Sequence, residues 1–216
     1  MPALTDFRVA VLATDGFEES ELTEPVAALR EAGARVTVLA PEPGQIQGVR
    51  HDLDKTVRVE VDRAIGDVSA DDFDAVHLPG GAVNADSLRM EPQVQAFLQE
   101  MQAAGKPFAV ICHAPWELVS AGLVRGRTLT SYPSIQDDIR NAGGRWVDRD
   151  VVEDGNWVTS RKPADLPAFT QAMIALFARG REGRHQREDR SYGAPAMATR
   201  SAGKGSAGLD GSGSGK

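Results

Sequence analysis

Two periods alternate along this chain. Short apolar and β-branched runs mark buried strands, and between them apolar positions recur every three or four residues, as on the inner face of a helix. Residues 7–13 (FRVAVLA) read as a buried strand entering a turn at Thr14-Asp15-Gly16. Leu22, Val26 and Leu29 then fall at helical spacing and predict a helix over about 20–32, with Gly33 in the left-handed position beyond its end and Pro25 in its first turn or kinking it. Residues 35–40 (RVTVLA) form a second strand, so the chain opens β-α-β, the unit that builds a parallel sheet through a right-handed crossover.

Further on, 56–61 alternates Val57, Val59 and Val61 with polar residues, as a strand with one solvated face does, and suits an antiparallel edge hairpin. Strands at 74–78 and 108–111, helices at 92–104, 116–121 and 135–142, a hairpin over 151–160 turning at Asp154-Gly155, and an amphipathic helix over 163–179 complete the pattern. Strands alternating with helices predict an α/β fold, a doubly wound, mostly parallel sheet sandwiched by helices in the flavodoxin-like manner. Residues 1–180 are expected to form one such domain. Residues 181–216, rich in Arg, Gly, Ser and Ala, bury too little surface to offset the entropy of ordering and are expected to be disordered.

Charge and cysteine content narrow the function classes. The chain has 216 residues, a net charge of −7 and one cysteine. Seven Lys/Arg against four Asp/Glu in 181–216 leave the remainder more acidic than the whole. A surface of that sign repels phosphate backbones and anionic headgroups, so neither nucleic acid nor membrane is an expected partner. A lone cysteine excludes an internal disulfide. The N-terminal residues lack a basic stretch followed by an apolar one, and every apolar run is too short to cross a bilayer, so a cytoplasmic location is expected.

The chemistry-bearing residues gather at predicted strand ends. Sites of open α/β sheets lie outside the carboxyl ends of strands, and Cys112 stands at such an end, immediately before a helix. The free amides of a first helical turn favour an anion, which predicts a lowered thiol pKa and a reactive thiolate. Taken alone, a cysteine closing a buried strand is more often a small inert apolar residue. His113 follows it, and a tight elbow can bring both side chains to one crevice, although a solvent-facing turn histidine is an equal reading.

Asp86 lies beyond Pro79-Gly80-Gly81, where a carboxylate can orient an imidazole as third member of a triad or merely open a helix. Gly80 and Gly81 let backbone N–H groups approach a developing oxyanion. Ala114 and Trp116 are further substrate-binding candidates, while Trp116, Tyr132 and Pro133 also suit core packing. Glu18 follows the first strand on the same rim. Buried there, its carboxyl would have a raised pKa and could hydrogen-bond the sulfur or take a proton from a carbon acid, the alternative being an ordinary acid at a helix start. His51 and His77 lack metal-like spacing, and no CxxC, HExxH or Gly-rich phosphate loop occurs, so neither a metal nor a cofactor is predicted.

Together the stretches GFEESEL (16–22), LPGGAVNADSLR (78–89), AVICHAPWELVSAGLVRGRTLTSYPSIQDDIRNAG (109–143) and DGNWVTSRKPADLPAF (154–169) resemble the DJ-one/PfpI superfamily over about 7–178. The resemblance is closest to PfpI-type intracellular cysteine peptidases, a group also described as deglycases, cofactor-free glyoxalases and stress proteins, with a class I glutamine amidotransferase-like fold. It implies that Cys112 is the nucleophile, His113 the adjacent base, Glu18 the acid contacting sulfur, Asp86 the triad acid, and the N–H groups of Gly81 and His113 the oxyanion site. It also implies a homodimer or homohexamer, because the family's acid often comes from a neighbouring subunit. The long C-terminal extension departs from the family pattern.

Two functions of different kind follow. One is an enzyme acting on reactive carbonyls or their protein adducts, or hydrolysing small peptides, through the Cys112 thiolate. The other is a non-enzymatic stress sensor or chaperone that uses the same cysteine, oxidised to a sulfinic acid. A glutamine amidotransferase fits less well, since no His-x-Glu pair follows Cys112.

Overall fold

The fold is that of a computed structural model, and residues 3–192 are described. In chain order the strands are β1 Arg8–Leu12, β2 Phe17–Glu18, β3 Arg35–Ala40, β4 Gly44–Arg50, β5 Asp54–Val61, β6 Arg63–Ala64, β7 Ala75–Leu78, β8 Phe108–Ile111, β9 Thr128–Leu129, β10 Arg145–Trp146, β11 Val151–Asp154 and β12 Trp157–Ser160. The helices are α1 Glu19–Glu31, α2 Ala82–Leu88, α3 Pro92–Ala103, α4 Pro115–Ser120, α5 Gln136–Asn141 and α6 Leu166–Tyr192.

The main sheet has seven strands in the order β11-β12-β8-β7-β1-β3-β6. Every neighbouring pair in it is parallel except β11 and β12, whose antiparallel hairpin closes one edge. The predicted α/β fold with a mostly parallel sheet between helices is therefore present. Its two faces are written into β1, where successive side chains point to opposite sides. Val9 and Val11 pack with Leu22, Val26 and Leu29 of α1 and with Phe169, Met173 and Phe177 of α6. Ala10 and Leu12 pack with Leu88, Leu98, Met101, Leu118 and Ile139 from α2, α3, α4 and α5. Fully burying each such large side chain is worth about 1.5–3 kcal/mol, so two dry layers hold the centre of the sheet.

Three elements differ from the sequence pattern. Residues 54–61 do form a hairpin strand, but its partner β4 was hidden because Gly44 and Gly48 interrupt the apolar alternation, and the pair belongs to a separate sheet, β2-β4-β5. Helix α2 follows Gly81 immediately and was masked by the turn-like Pro79-Gly80-Gly81. Helix α6 runs past Gly180 to Tyr192, beyond the expected helix end at Arg179, since the Arg- and Glu-containing stretch that follows has no proline or β-branched residue to stop it. Residues 193–216 of the expected tail lie outside the described residues. Among the described residues no helix is long and apolar enough to cross a membrane.

Pro25 sits in the second turn of α1 rather than the first. It lacks the N–H that would bond the carbonyl of Glu21 four residues earlier.

Candidate active site

Strand β8 ends at Ile111 and α4 begins at Pro115, and Cys112 makes the bend between them with φ +63°. A left-handed conformation is uncommon for a residue with a side chain and is held here by the backbone around it. The Cys112 N–H donates to Ser160 O at 3.1 Å, Cys112 O accepts from Tyr132 N at 2.8 Å, and Ala114 N donates to Ile111 O at 3.1 Å. The bend thrusts the thiol out of the strand, beyond the carboxyl edge of the sheet. Its sulfur stays largely enclosed, Cys112 being 6% exposed.

Two glycines make room for it. A methyl group on Gly80 would lie 2.4 Å from Glu21 Oε2, 2.5 Å from Cys112 Cβ and 3.1 Å from Cys112 Sγ, so acid and thiol meet across this residue. Gly81 has φ +99°, and a methyl there would lie 2.1 Å from Gly16 O. The strand end β7 is thus pressed against β2 and the elbow at once, which only glycine permits.

The carboxyl beside the sulfur belongs to Glu21, on the inner face of α1. Its Oε2 accepts from Gly80 N at 2.9 Å, and the carboxyl also hydrogen-bonds the Cys112 side chain. Glu21 is fully buried, and burial together with the charge of Glu18 pushes its pKa up to about 8. Glu18, assigned the sulfur contact by resemblance, instead accepts from His51 N at 3.0 Å. It still lines the same cavity, and burial raises its pKa. The correction is one helical turn: α1 faces the sheet with Glu21, Leu22, Pro25, Val26 and Leu29, so the acid in that stripe is Glu21.

The expected lowering of the thiol pKa is also overturned. Burial first, then the charge of Glu21, push the Cys112 thiol upward, and the backbone N–H groups of Gly81 and His113, which hydrogen-bond the sulfur, only oppose that rise. Thiol and carboxyl are close enough to titrate as a pair. With one proton between them they reach either a thiol beside a carboxylate or a thiolate beside a carboxylic acid, and the two amides favour the latter.

His113 Nδ1 lies 3.3 Å from Cys112 Sγ, and its Nε2 lies 3.1 Å from Ser134 Oγ. The ring stacks on Tyr132 with centroids 4.7 Å apart, and Trp116 packs against it at 5.7 Å. Burial lowers the imidazole pKa against the opposing charge of Asp52, so the ring is neutral at physiological pH. The cavity above the sulfur is about 210 Å³ and is lined by Glu18, Glu21, His51, Asp52, Gly81, Cys112, His113, Tyr132 and Pro163. His51 and Asp52, both at positive φ, form the tip between β4 and β5, and Asp52 Oδ1 accepts from Ala82 N at 2.9 Å to dock that tip on α2.

Four of the sequence candidates do not take the roles expected of them. Asp86 is exposed on α2 and does not line the cavity, because the helix turns that position outward while Asn84, Ala85 and Leu88 face in. The Gly80 N–H is taken by Glu21 and the Ala114 N–H by Ile111 O, so neither is free for an oxyanion. Trp116 donates from Nε1 to Asp138 Oδ2 at 2.8 Å under the Arg89 guanidinium, and acts on the site only by supporting His113. Cys112, His113, Glu18 and Gly81 are brought together.

Among the described residues, no group of three or more His, Cys, Asp or Glu side chains is arranged to hold a metal ion. The sequence matches the DJ-1/PfpI family over residues 7–176. The chain belongs to that family. Among curated members of the DJ-1/PfpI family it is 42% identical over 169 residues to Deglycase TK1284 of Thermococcus kodakarensis, covering 78% of this chain and 98% of the relative. It is 41% identical over 169 residues to Deglycase PfpI of Pyrococcus furiosus, with the same coverage. The crystal structure of Drosophila melanogaster DJ-1beta superposes with a TM-score of 0.74 at 31% identity, over 88% of this chain and 100% of that one. The additional cavity residues Glu21, His51, Asp52 and Pro163, and Ser134 behind His113, escaped sequence reading. Glu21 alone left a local signal, an acid inside the apolar stripe of a helix.

Proposed function

We propose that the chain is a cysteine-dependent enzyme acting on small reactive carbonyls or on the adducts they form with proteins. The observation that carries this reading is the strained Cys112 flanked by the Glu21 carboxyl and by His113 Nδ1 at 3.3 Å, open to a small cavity. Relatives named deglycases at about the same identity across the matched region support it.

The chemistry runs on one shared proton. The thiolate adds to the aldehyde carbon, and the Glu21 carboxylic acid delivers its proton to the new oxyanion, giving a hemithioacetal. The Glu21 carboxylate then takes the proton from that carbon and returns it to the neighbouring carbonyl carbon. His113 moves protons between the two oxygens. Water hydrolyses the resulting thioester, so methylglyoxal gives lactate, glyoxal gives glycolate, and the thiol is restored. A carboxyl with pKa about 8 can serve as both acid and base near neutrality. A cavity of about 210 Å³ suits a two- or three-carbon dicarbonyl, or the tip of an adduct, better than a peptide segment.

The test supplies methylglyoxal, and separately a small peptide amide, to the purified protein and to Cys112→Ala. Lactate formation that falls at least about 10³-fold in the variant is expected. Equal turnover by the variant would remove the nucleophile.

The working form is proposed to be a homo-oligomer. Asp86 is exposed on α2 close to Val83 and Met90, large apolar side chains that are 54% and 74% exposed, a surface suited to a second copy. There Asp86 would act on the neighbouring subunit's imidazole, as the resemblance implies.

A further inference from the structure

His77 is a fully buried histidine that the proposed chemistry does not use. It lies in β7, three residues before Gly80. Its Nε2 is 2.8 Å from the carbonyl oxygen of Glu21, and its Nδ1 is 3.1 Å from the carbonyl oxygen of Ala109 in β8. The ring packs against Phe169 of α6 at 5.8 Å. One imidazole therefore touches the helix that carries the acid and the strand that leads to the nucleophile, while its own strand leads to the glycines between them.

The Glu21 carbonyl needs an outside partner. In an α-helix it would accept from the amide of residue 25, but Pro25 has none, and a buried unpaired carbonyl is costly. The ring of a neutral imidazole has a single N–H to give. Both of its nitrogens face carbonyl oxygens, and the shorter contact, from Nε2, is to the carbonyl that the helix itself cannot satisfy.

We propose that His77 is a positioning residue for the active site, replacing the amide that Pro25 lacks and thereby fixing the backbone of Glu21 against Gly80 and Cys112. The Glu21 carboxyl leaves the helix at the residue whose carbonyl His77 holds. A shift of α1 at that point would move the carboxyl off the Gly80 amide and away from the sulfur, and misplacement by about 1 Å can cost about 10²-fold in rate. This inference rests on the proposed Glu21–Cys112 pair, but its readout does not require a carbonyl substrate.

The experiment compares His77→Leu in two backgrounds, native Pro25 and Pro25→Ala, where residue 25 regains an N–H for the Glu21 carbonyl. The reactivity of Cys112 is followed as the iodoacetamide alkylation rate against pH, with methylglyoxal kcat and KM measured in parallel. With Pro25 present, His77→Leu is expected to displace the alkylation midpoint and to lower kcat about 10-fold while KM changes less than about 2-fold. In the Pro25→Ala background, the same substitution should cost at most about a third of that factor.

A folded His77→Leu protein with the native alkylation profile would overturn the proposal, as would equal losses in both backgrounds. If His77→Leu fails to fold, the double variant decides. Its folding with recovered Cys112 reactivity supports the proposal, and its failure to fold or to recover overturns it. Failure of the native protein to turn over methylglyoxal would count against the carbonyl reading alone, because the alkylation comparison stands without it.

Discussion

Glu21 and Cys112 approach each other across the bare Cα of Gly80, with the carboxyl held by the Gly80 amide at 2.9 Å and hydrogen-bonded to the thiol. The acid comes from α1 and the thiol from the end of β8, so the contact joins segments that are remote in sequence. The charge of Glu21 raises the thiol's affinity for a proton, whereas the hydrogen bond with the thiol lowers the carboxyl's, whose own rise comes from burial and Glu18.

Glu21→Gln should lower kcat for methylglyoxal by about 10²–10⁴-fold, the range for removing a general acid–base group, whereas Glu18→Gln should lower it less than about 10-fold. The two variants also differ in pH dependence. The negative charge of Glu18 contributes to raising the Glu21 pKa to about 8, so Glu18→Gln should move the corresponding limb of the kcat profile toward acid. Steady-state rates across the range from mildly acidic to alkaline pH check both. A larger loss in Glu18→Gln than in Glu21→Gln would return the acid role to Glu18.

Gly80→Ala should abolish turnover while leaving a folded protein. The added methyl would lie 2.4 Å from Glu21 Oε2 and 2.5 Å from Cys112 Cβ, so acid and thiol must separate. Overpacking of this kind costs about 1–3 kcal/mol, which a denaturant titration will detect. Activity within about 3-fold of native would mean that the pair is not needed.

Glu117, one helical turn beyond His113, is fully buried with neither carboxyl oxygen hydrogen-bonded among the described residues. Burial raises its pKa well above the ordinary 4.5. A carboxyl whose folded pKa is raised holds its proton more tightly in the native state, so its contribution is complete below the unfolded value and is lost as pH rises through the folded one. Glu21 acts in the same direction. These two carboxyls therefore pull native stability down from about pH 5 upward, opposed until about pH 6.5 by His77 and His113, whose pKa values burial lowers, and Glu117→Gln should make the stability at alkaline pH fall less steeply. Glu117→Met, which removes the unpaired groups altogether, should add about 1–3 kcal/mol at about pH 8. Urea midpoints at about pH 5, 6.5 and 8 decide the matter, and parallel slopes for native and Glu117→Gln proteins would contradict it.

If Asp86 serves a neighbouring subunit, Asp86→Ala and Cys112→Ala proteins should each be inactive alone and recover activity when unfolded together and refolded as a mixture. A statistical dimer would regain up to about a quarter of native turnover, since only mixed pairs carry an intact site and each carries one. Native-like activity of Asp86→Ala alone, or a monomer in sedimentation, would remove the shared-site proposal.

The sequence by itself determined the frame. Strands such as 35–40 and 108–111, the hairpin at Asp154-Gly155 and the elbow at Cys112 were legible because apolar period, β-branching and turn residues act over a few neighbours. The glycines of Pro79-Gly80-Gly81 marked a close approach for the same reason. Less local features escaped: β4, whose alternation its glycines break, and the helical continuation beyond Gly180.

Tertiary structure alone decided which groups meet. Glu18 and Glu21 lie within one turn of each other, and only the phase of α1 against the sheet turns Glu21 toward the sulfur. Asp86 faces out because α2 packs with Asn84, Ala85 and Leu88 inward. The direction of the thiol shift followed from how much water the fold removes from around Cys112, against which two backbone amides are the weaker influence. His77 found the carbonyl left open by Pro25 from a remote part of the chain, a match that no local pattern encodes, because it requires β7 to lie beneath α1.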